Sequence, residues 1–148
     1  MSETAKGPHA SAGYHLWHAS LRWTAEVAKA MAPLGLTHTQ FFLLGGLSWL
    51  TREKGRSPSQ RELADFTRLD RATASQVVRA LETQGLLARQ DDPDDARAFR
   101  LRVTAAGKKK FAAAVLEVRR VDARFFASAG AELPELTARL ASLGRPPK

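Results

Sequence analysis

The sequence predicts a mainly α chain of the α+β class, helical throughout except for one small β hairpin. Three observations carry this reading. Apolar residues recur at helical spacing over most of the 148 residues. Two boxes, Thr37-His38-Thr39-Gln40 and Ser59-Gln60-Arg61-Glu62, mark helix starts, because a hydroxyl and the side chain three residues on satisfy two otherwise free amides. Between Leu86 and Val103 the hydrophobic period drops from 3.6 to 2, with Phe99, Leu101 and Val103 alternating with Arg100 and Arg102. The length suits one domain, and 44% hydrophobic with 26% charged residues is ordinary globular composition.

Taken in order, residues 1–12 are small, polar and expected to be a flexible N-terminus. A first helix runs from Tyr14 to Met31, with Trp17, Leu21, Trp23, Val27, Ala28 and Met31 on its apolar side, and Pro33 and Gly35 end it. The Thr37 box opens a second helix to about Arg52, apolar over most of its circumference and therefore expected at the centre. Gly45 and Gly46 inside it each cost ~1 kcal/mol against alanine, which close helix packing would justify. After the polar connector Glu53–Ser57, the Ser59 box opens a short helix with Leu63, Ala64 and Phe66 on its inner side. Thr67-Arg68-Leu69 is a tight turn. Asp70 is the expected N-cap of a helix to Gln84, with Ala74, Val77, Val78 and Leu81 on one face and Gly85 as the left-handed residue that ends it.

A strand over Leu86–Gln90, a turn-rich tip over Asp91–Arg97 and the strand containing Phe99, Leu101 and Val103 complete a hairpin. Thr104 caps a long helix to about Ala127, and a last helix carries Leu133, Leu136, Leu140 and Leu143 before a tail at 145–148. Two short helices joined by a tight turn and followed by a hairpin make a winged helix-turn-helix over residues 36–104. The helices of 13–35 and 105–144 flank it. Their Trp17, Trp23, Phe125, Phe126, Leu133, Leu136 and Leu140 have little chain left to bury them in a monomer, so they are expected to pair two copies.

Composition excludes several functions. There is no cysteine, hence no disulfide scaffold, thiolate metal site or thiol switch. Phe41–Leu50, the longest apolar stretch, is broken by Gly45, Gly46 and Ser48 and falls short of the ~20 residues a bilayer span needs. The N-terminus has no basic-then-apolar pattern, so a cytoplasmic protein without membrane contact is expected. No nucleophile–base pair, phosphate-binding glycine loop or metal motif is present, which argues against an enzyme and against any cofactor. The net charge of +8 favours an anionic partner, nucleic acid foremost. Yet residues 52–102 hold 11 basic and 9 acidic side chains, so the case rests on individual arginines.

Stepping 100° per residue along Asp70–Gln84 puts Ala72, Gln76, Arg79 and Thr83 opposite the apolar face, with Thr73 and Ser75 beside them and Arg71 at the start. Glutamine can bond adenine and arginine guanine in the major groove, while the small residues let the helix approach closely. An ordinary solvated helix face carries the same residue types. Arg97 at the hairpin tip can enter a narrow minor groove, with Asp95 near enough to orient it by a charge-assisted bond. The tip aspartates would otherwise repel phosphate, which favours one projecting arginine; a solvated turn with a local ion pair is the plain alternative. Ser59, Gln60 and Arg61 suit a phosphate contact at a helix N-terminus, or simply cap it.

Several runs together resemble the MarR family of transcriptional regulators over about Tyr14 to Phe126. They are Leu36-Thr37…Phe41, Ser59-Gln60-Arg61-Glu62-Leu63-Ala64, Asp70–Ser75, Leu81–Leu87, Asp92–Arg97 and Val103–Gly107. The family's wing signature stands here as Asp95-x-Arg97 followed by Val103-Thr104, with Val in place of Leu. The resemblance implies a homodimer built by the first and last helices, binding a pseudo-palindrome in double-stranded DNA. It also implies release by a small, often aromatic or phenolic, ligand. Without cysteine, the family's oxidation-sensing branch does not apply. His15 and His18 are three apart but lack neighbours to complete a metal shell, so no metal is expected. Trp17, His18, His38 and Phe42 are candidate lining residues for a ligand cavity between the flanking helices and the winged domain, although core packing is the better account of the Trp and Phe residues. A winged helix used only as a protein–protein module is the competing reading.

Overall fold

The computed structural model describes residues 7–145. The predicted frayed segment is described from residue 7 on: Pro8–Ala10 form one 3-10 turn, and Ser11 already caps the first helix. Residues 1–6 of that segment and 146–148 of the tail lie outside the described residues. The elements are α1 (Ala12–Met31), α2 (His38–Lys54), α3 (Gln60–Thr67), α4 (Arg71–Thr83), β1 (Leu87–Asp91), β2 (Phe99–Val103), α5 (Ala105–Phe125) and α6 (Leu133–Leu143). The fold is mainly helical with one two-stranded antiparallel sheet, Leu87 opposite Val103 and Asp91 opposite Phe99. Among the described residues no helix is long and apolar enough to cross a membrane.

Local chemistry sets the element boundaries. Thr37 accepts from the Gln40 amide at 3.1 Å while the Gln40 side chain accepts from the Thr37 amide at 2.9 Å, and Ser59 with Glu62 repeats the device. Arg68 takes the left-handed conformation (φ 56°) that makes the α3–α4 turn, and its guanidinium donates to the carbonyl of Gly144 at the end of α6. After α4, the Leu86 amide donates to Leu81 O and the Gly85 amide to Glu82 O, both at 2.9 Å, with Gly85 left-handed. Thr104 then locks the hairpin to α5: its hydroxyl donates to Gly85 O at 2.6 Å and accepts from the Gly107 amide at 3.0 Å.

The core is centred on α2, as its composition predicts. Leu43, Leu44 and Leu47 of α2 meet Val27 and Met31, Leu63, Val78 and Leu81, Leu87 and Leu101, and Ala114 and Val121, all buried. Trp23 adds a polar tie, its indole N–H donating to Asp122 Oδ1 at 2.7 Å between α1 and α5. Three expectations are corrected. Trp49 and Phe42 leave the core and are 50% and 42% exposed, because α2 is covered on only part of its circumference. Phe66 is half exposed: its ring edge meets Gly46 of α2 while the rest faces an open cavity, and Leu63 fills the buried inner position of α3. In β2, Phe99 is exposed and lies under the Arg89 guanidinium, while Arg100 is drawn inward by Asp92. The outer half of α1 and all of α6 bury nothing in the single chain: Leu16, Trp17, Leu21, Leu140 and Leu143 stay exposed.

Candidate nucleic-acid interface

α4 is held by its inner face, where Ala74, Val78 and Leu81 are buried against the core. Opposite them Arg71, Ala72, Gln76, Arg79 and Thr83 are exposed, with Thr73 and Ser75 at the edges. The Asp70 cap involves more of this helix than sequence alone suggested. One carboxylate oxygen accepts from the Thr73 amide at 2.9 Å, and the other accepts from the Thr73 hydroxyl at 2.6 Å. These bonds hold the Asp70 carboxyl below its ordinary pKa and commit the Thr73 hydroxyl as a donor, so its methyl and an oxygen that can only accept are left for a base.

α3 stands across the turn. The Ser59 hydroxyl oxygen accepts the capping bond from the Glu62 amide at 3.1 Å, which leaves its O–H as a donor while it holds the helix start. Gln60, Arg61, Ala64, Arg71 and Ala74 line a small cleft of about 160 Å³ between α3 and α4. The Gln60 side-chain oxygen is buried there without a hydrogen-bond partner among the described residues, and the Arg61 side chain is exposed. Glu62 beneath them accepts from the Ser59 amide (2.7 Å), from both Arg56 nitrogens (2.7 and 3.1 Å) and pairs with Lys54 (3.2 Å). Led by the Arg56 bonds, this set holds its carboxyl far below the usual range.

In the wing, Arg97 is exposed and forms no ion pair among the described residues. The bond predicted from Asp95 to its guanidinium is replaced by another: Asp95 Oδ1 accepts from the Arg97 backbone amide at 2.9 Å. Asp95 therefore shapes the turn that carries Arg97 and leaves the side chain unpaired. Asp92 is paired with Arg100, which holds its carboxyl low.

The proposed ligand residues fall into two groups. His38 and Phe42 line a cavity of about 600 Å³ with Phe41, Trp49, Phe66 and Phe111. Trp17 and His18 lie elsewhere, their rings meeting edge to face along the outer part of α1. Sequence reasoning missed Trp49, Phe66 and Phe111; the glycine pair was the available signal. At Gly45 a Cβ would stand 3.3 Å from the Phe111 ring, and at Gly46 2.9 Å from Thr67 Cγ2, so both glycines let the cavity walls approach α2. His38 Nε2 is buried without a partner among the described residues, its ring set against Trp23 and Phe42, and burial pushes its pKa down.

Comparison with known proteins agrees with this geometry. The sequence model described as MarR family matches residues 34–98. The uncharacterized HTH-type transcriptional regulator YdcH of Bacillus subtilis is 38% identical over 83% of this chain and 83% of its own. The chain belongs to the MarR family of transcriptional regulators. Among solved structures, the transcriptional repressor CouR bound to a 23-mer DNA duplex superposes on this MarR chain with a TM-score of 0.83 at 29% identity, covering 97% of this chain and 100% of CouR. Bordetella bronchiseptica BpsR, from a study of how 6-hydroxynicotinic acid regulates its DNA binding, gives 0.81 at 25% identity over 93% and 95%. Within the MarR chain, α3 and α4 are the helix-turn-helix and β1–β2 the wing.

Proposed function

We propose that this MarR protein is a homodimeric repressor that reads a pseudo-palindromic duplex. One α4 enters the major groove in each half-site and one Arg97 the flanking minor groove. The observation that carries the reading is the division of α4: Ala74, Val78 and Leu81 buried, Ala72, Gln76 and Arg79 exposed. Arg71, Ser75 and the α3 start at Ser59–Arg61 stand where backbone phosphates would run. The CouR complex with DNA supports this arrangement. Residues 36–104 serve as the DNA-reading unit, and 13–35 with 105–144 as the pairing unit. Its occupant is a second copy, since an apolar cleft of about 670 Å³ between α1, Phe125–Phe126 and α6 lies continuous with the exposed Leu16 and Leu143. Such a protein acts where the DNA is, in the cytoplasm, and performs no catalysis.

The aromatic cavity is the effector site in this reading. A flat ring fits between Phe42, Trp49, Phe66 and Phe111, and a phenolic hydroxyl can donate to the neutral His38 Nε2. Because Phe66 and Thr67 belong to the end of α3, an occupant would press on the helix-turn-helix directly. Regulation of BpsR by 6-hydroxynicotinic acid is in keeping with such a ligand.

Selection of bound fragments from a randomized duplex pool tests the main claim. A palindrome is expected, with affinity that falls steeply with salt. Recovery of no consensus, with salt-insensitive binding to a protein partner instead, would favour the interaction-module reading. Light scattering should give about twice the 16.2 kDa chain mass.

A further inference from the structure

One wing arginine has no part in the reading above. Arg100 alternates with the buried Leu101 and should point to solvent, yet only 14% of its side chain is exposed. Its guanidinium folds back over the hairpin. Nε donates to Asp92 Oδ2 at 2.9 Å, and Nη2 to Asp92 Oδ1 at 3.2 Å and Asp94 Oδ2 at 3.4 Å. The third donor, Nη1, reaches the carbonyl of Ser57 at 3.4 Å. The backbone beside it is fastened to the same place. Ser59 and Arg100 form an antiparallel bridge, and the Leu101 amide donates to the Pro58 carbonyl at 2.9 Å. That connector runs straight into α3.

Four aspartates crowd the tip: Asp91, Asp92, Asp94 and Asp95. Asp95 is engaged by the Arg97 amide, and Arg100 is the ion-pair partner of both Asp92 and Asp94; Asp92 also accepts from the Asp94 amide at 2.9 Å, and Arg56 attracts it from farther off. Removing that guanidinium would leave two carboxylates without an ion pair within a Debye length of any phosphate the wing approaches. It would also leave the hairpin tied to the start of α3 through backbone bonds without the side-chain clamp on the tip.

We propose that Arg100 is the positioning residue of the wing: by clamping Asp92 and Asp94 to the Ser57–Ser59 connector it fixes the stance of Arg97 and masks acidic charge from the DNA backbone. Arg100 touches no base and acts through Arg97. The inference rests on the DNA-binding reading, and its test separates the two.

The first measurement needs no DNA. Hydrogen exchange at the Arg97 and Ala98 amides of the free protein should quicken in Arg100→Gln; unchanged exchange overturns the clamp. The second is a double-mutant cycle on the duplex recovered by selection. Arg100→Gln should weaken binding about tenfold, and Arg97→Ala should cost far less in that background than alone. Fully additive losses overturn the coupling. Adding Asp92→Asn and Asp94→Asn to Arg100→Gln should recover part of the affinity by removing the exposed charge; no recovery overturns the masking. Should Arg100→Gln fail to fold, Arg100→Lys keeps the charge without the planar fork and is expected to show the same coupling in weaker form. Wild-type protein that captures no duplex refutes the DNA-binding reading, while the exchange measurement still decides the clamp.

Discussion

An alanine at Gly107 would place its Cβ inside the contact distance of the Leu86 carbonyl oxygen and 2.8 Å from Val103 Cγ1. Both neighbours belong to the hairpin base and cannot yield cheaply. Gly107→Ala is therefore expected to cost ~3 kcal/mol or more, at or beyond the upper end of ordinary overpacking. A urea midpoint equal to wild type would contradict the packing described. His38 is a residue-scale case of a different kind. Burial lowers its pKa, so between that value and the ordinary 6.5 the unfolded chain holds the extra proton. Its contribution to stability is full above 6.5 and is lost as pH falls through the folded value. His38→Phe should flatten the melting temperature between pH 7 and 5; an unchanged slope would assign that dependence elsewhere. The His38 signal was half legible in the sequence. Its pairing with Phe42 on one helical turn could be read, but not the approach of Phe66 and Phe111 from two other helices.

At the scale of elements, α4 offers a direct test. Gln76→Ala or Arg79→Ala should relax base preference by ~1–3 kcal/mol at one operator position while leaving binding to random duplex nearly unchanged. Equal losses on both would mean these side chains meet only the backbone. The α3 start makes a second prediction. Glu62→Gln weakens the capping box and the Arg56 and Lys54 contacts together, and should lower stability by ~1–2 kcal/mol. Helix starts were legible because caps are local: Thr37, Ser59, Asp70 and Thr104 all occupy the N-cap positions that the sequence assigns. The wing was legible in outline only. Its first strand lies one residue later than expected, and period-2 alternation misplaces Arg100 because the acids that capture it come from the loop eight residues before. Trp23–Asp122, bridging 99 positions, carries no local signature at all.

For the molecule as a whole, acid should be the harsher denaturant. Glu62, Asp70 and Asp92 are all held below their ordinary values. Each contributes stability that is complete above the unfolded carboxylate pKa of ~4 and lost as pH falls below it. Melting temperature should therefore decline markedly from pH 5 to pH 3, and Glu62→Gln should lose part of that decline. An acid limb of equal slope in the variant would remove Glu62 from the account. The general course of the fold was legible because one central apolar helix and its flanking amphipathic ones leave few arrangements. In the proposed homodimer, the exposed apolar side chains of the outer half of α1 and of α6 tie folding to mass action. Where two chains complete one another's surface, dilution itself destabilises. The thermal midpoint of this protein should climb with its concentration, and the cell's copy number then sets how firmly each molecule is folded.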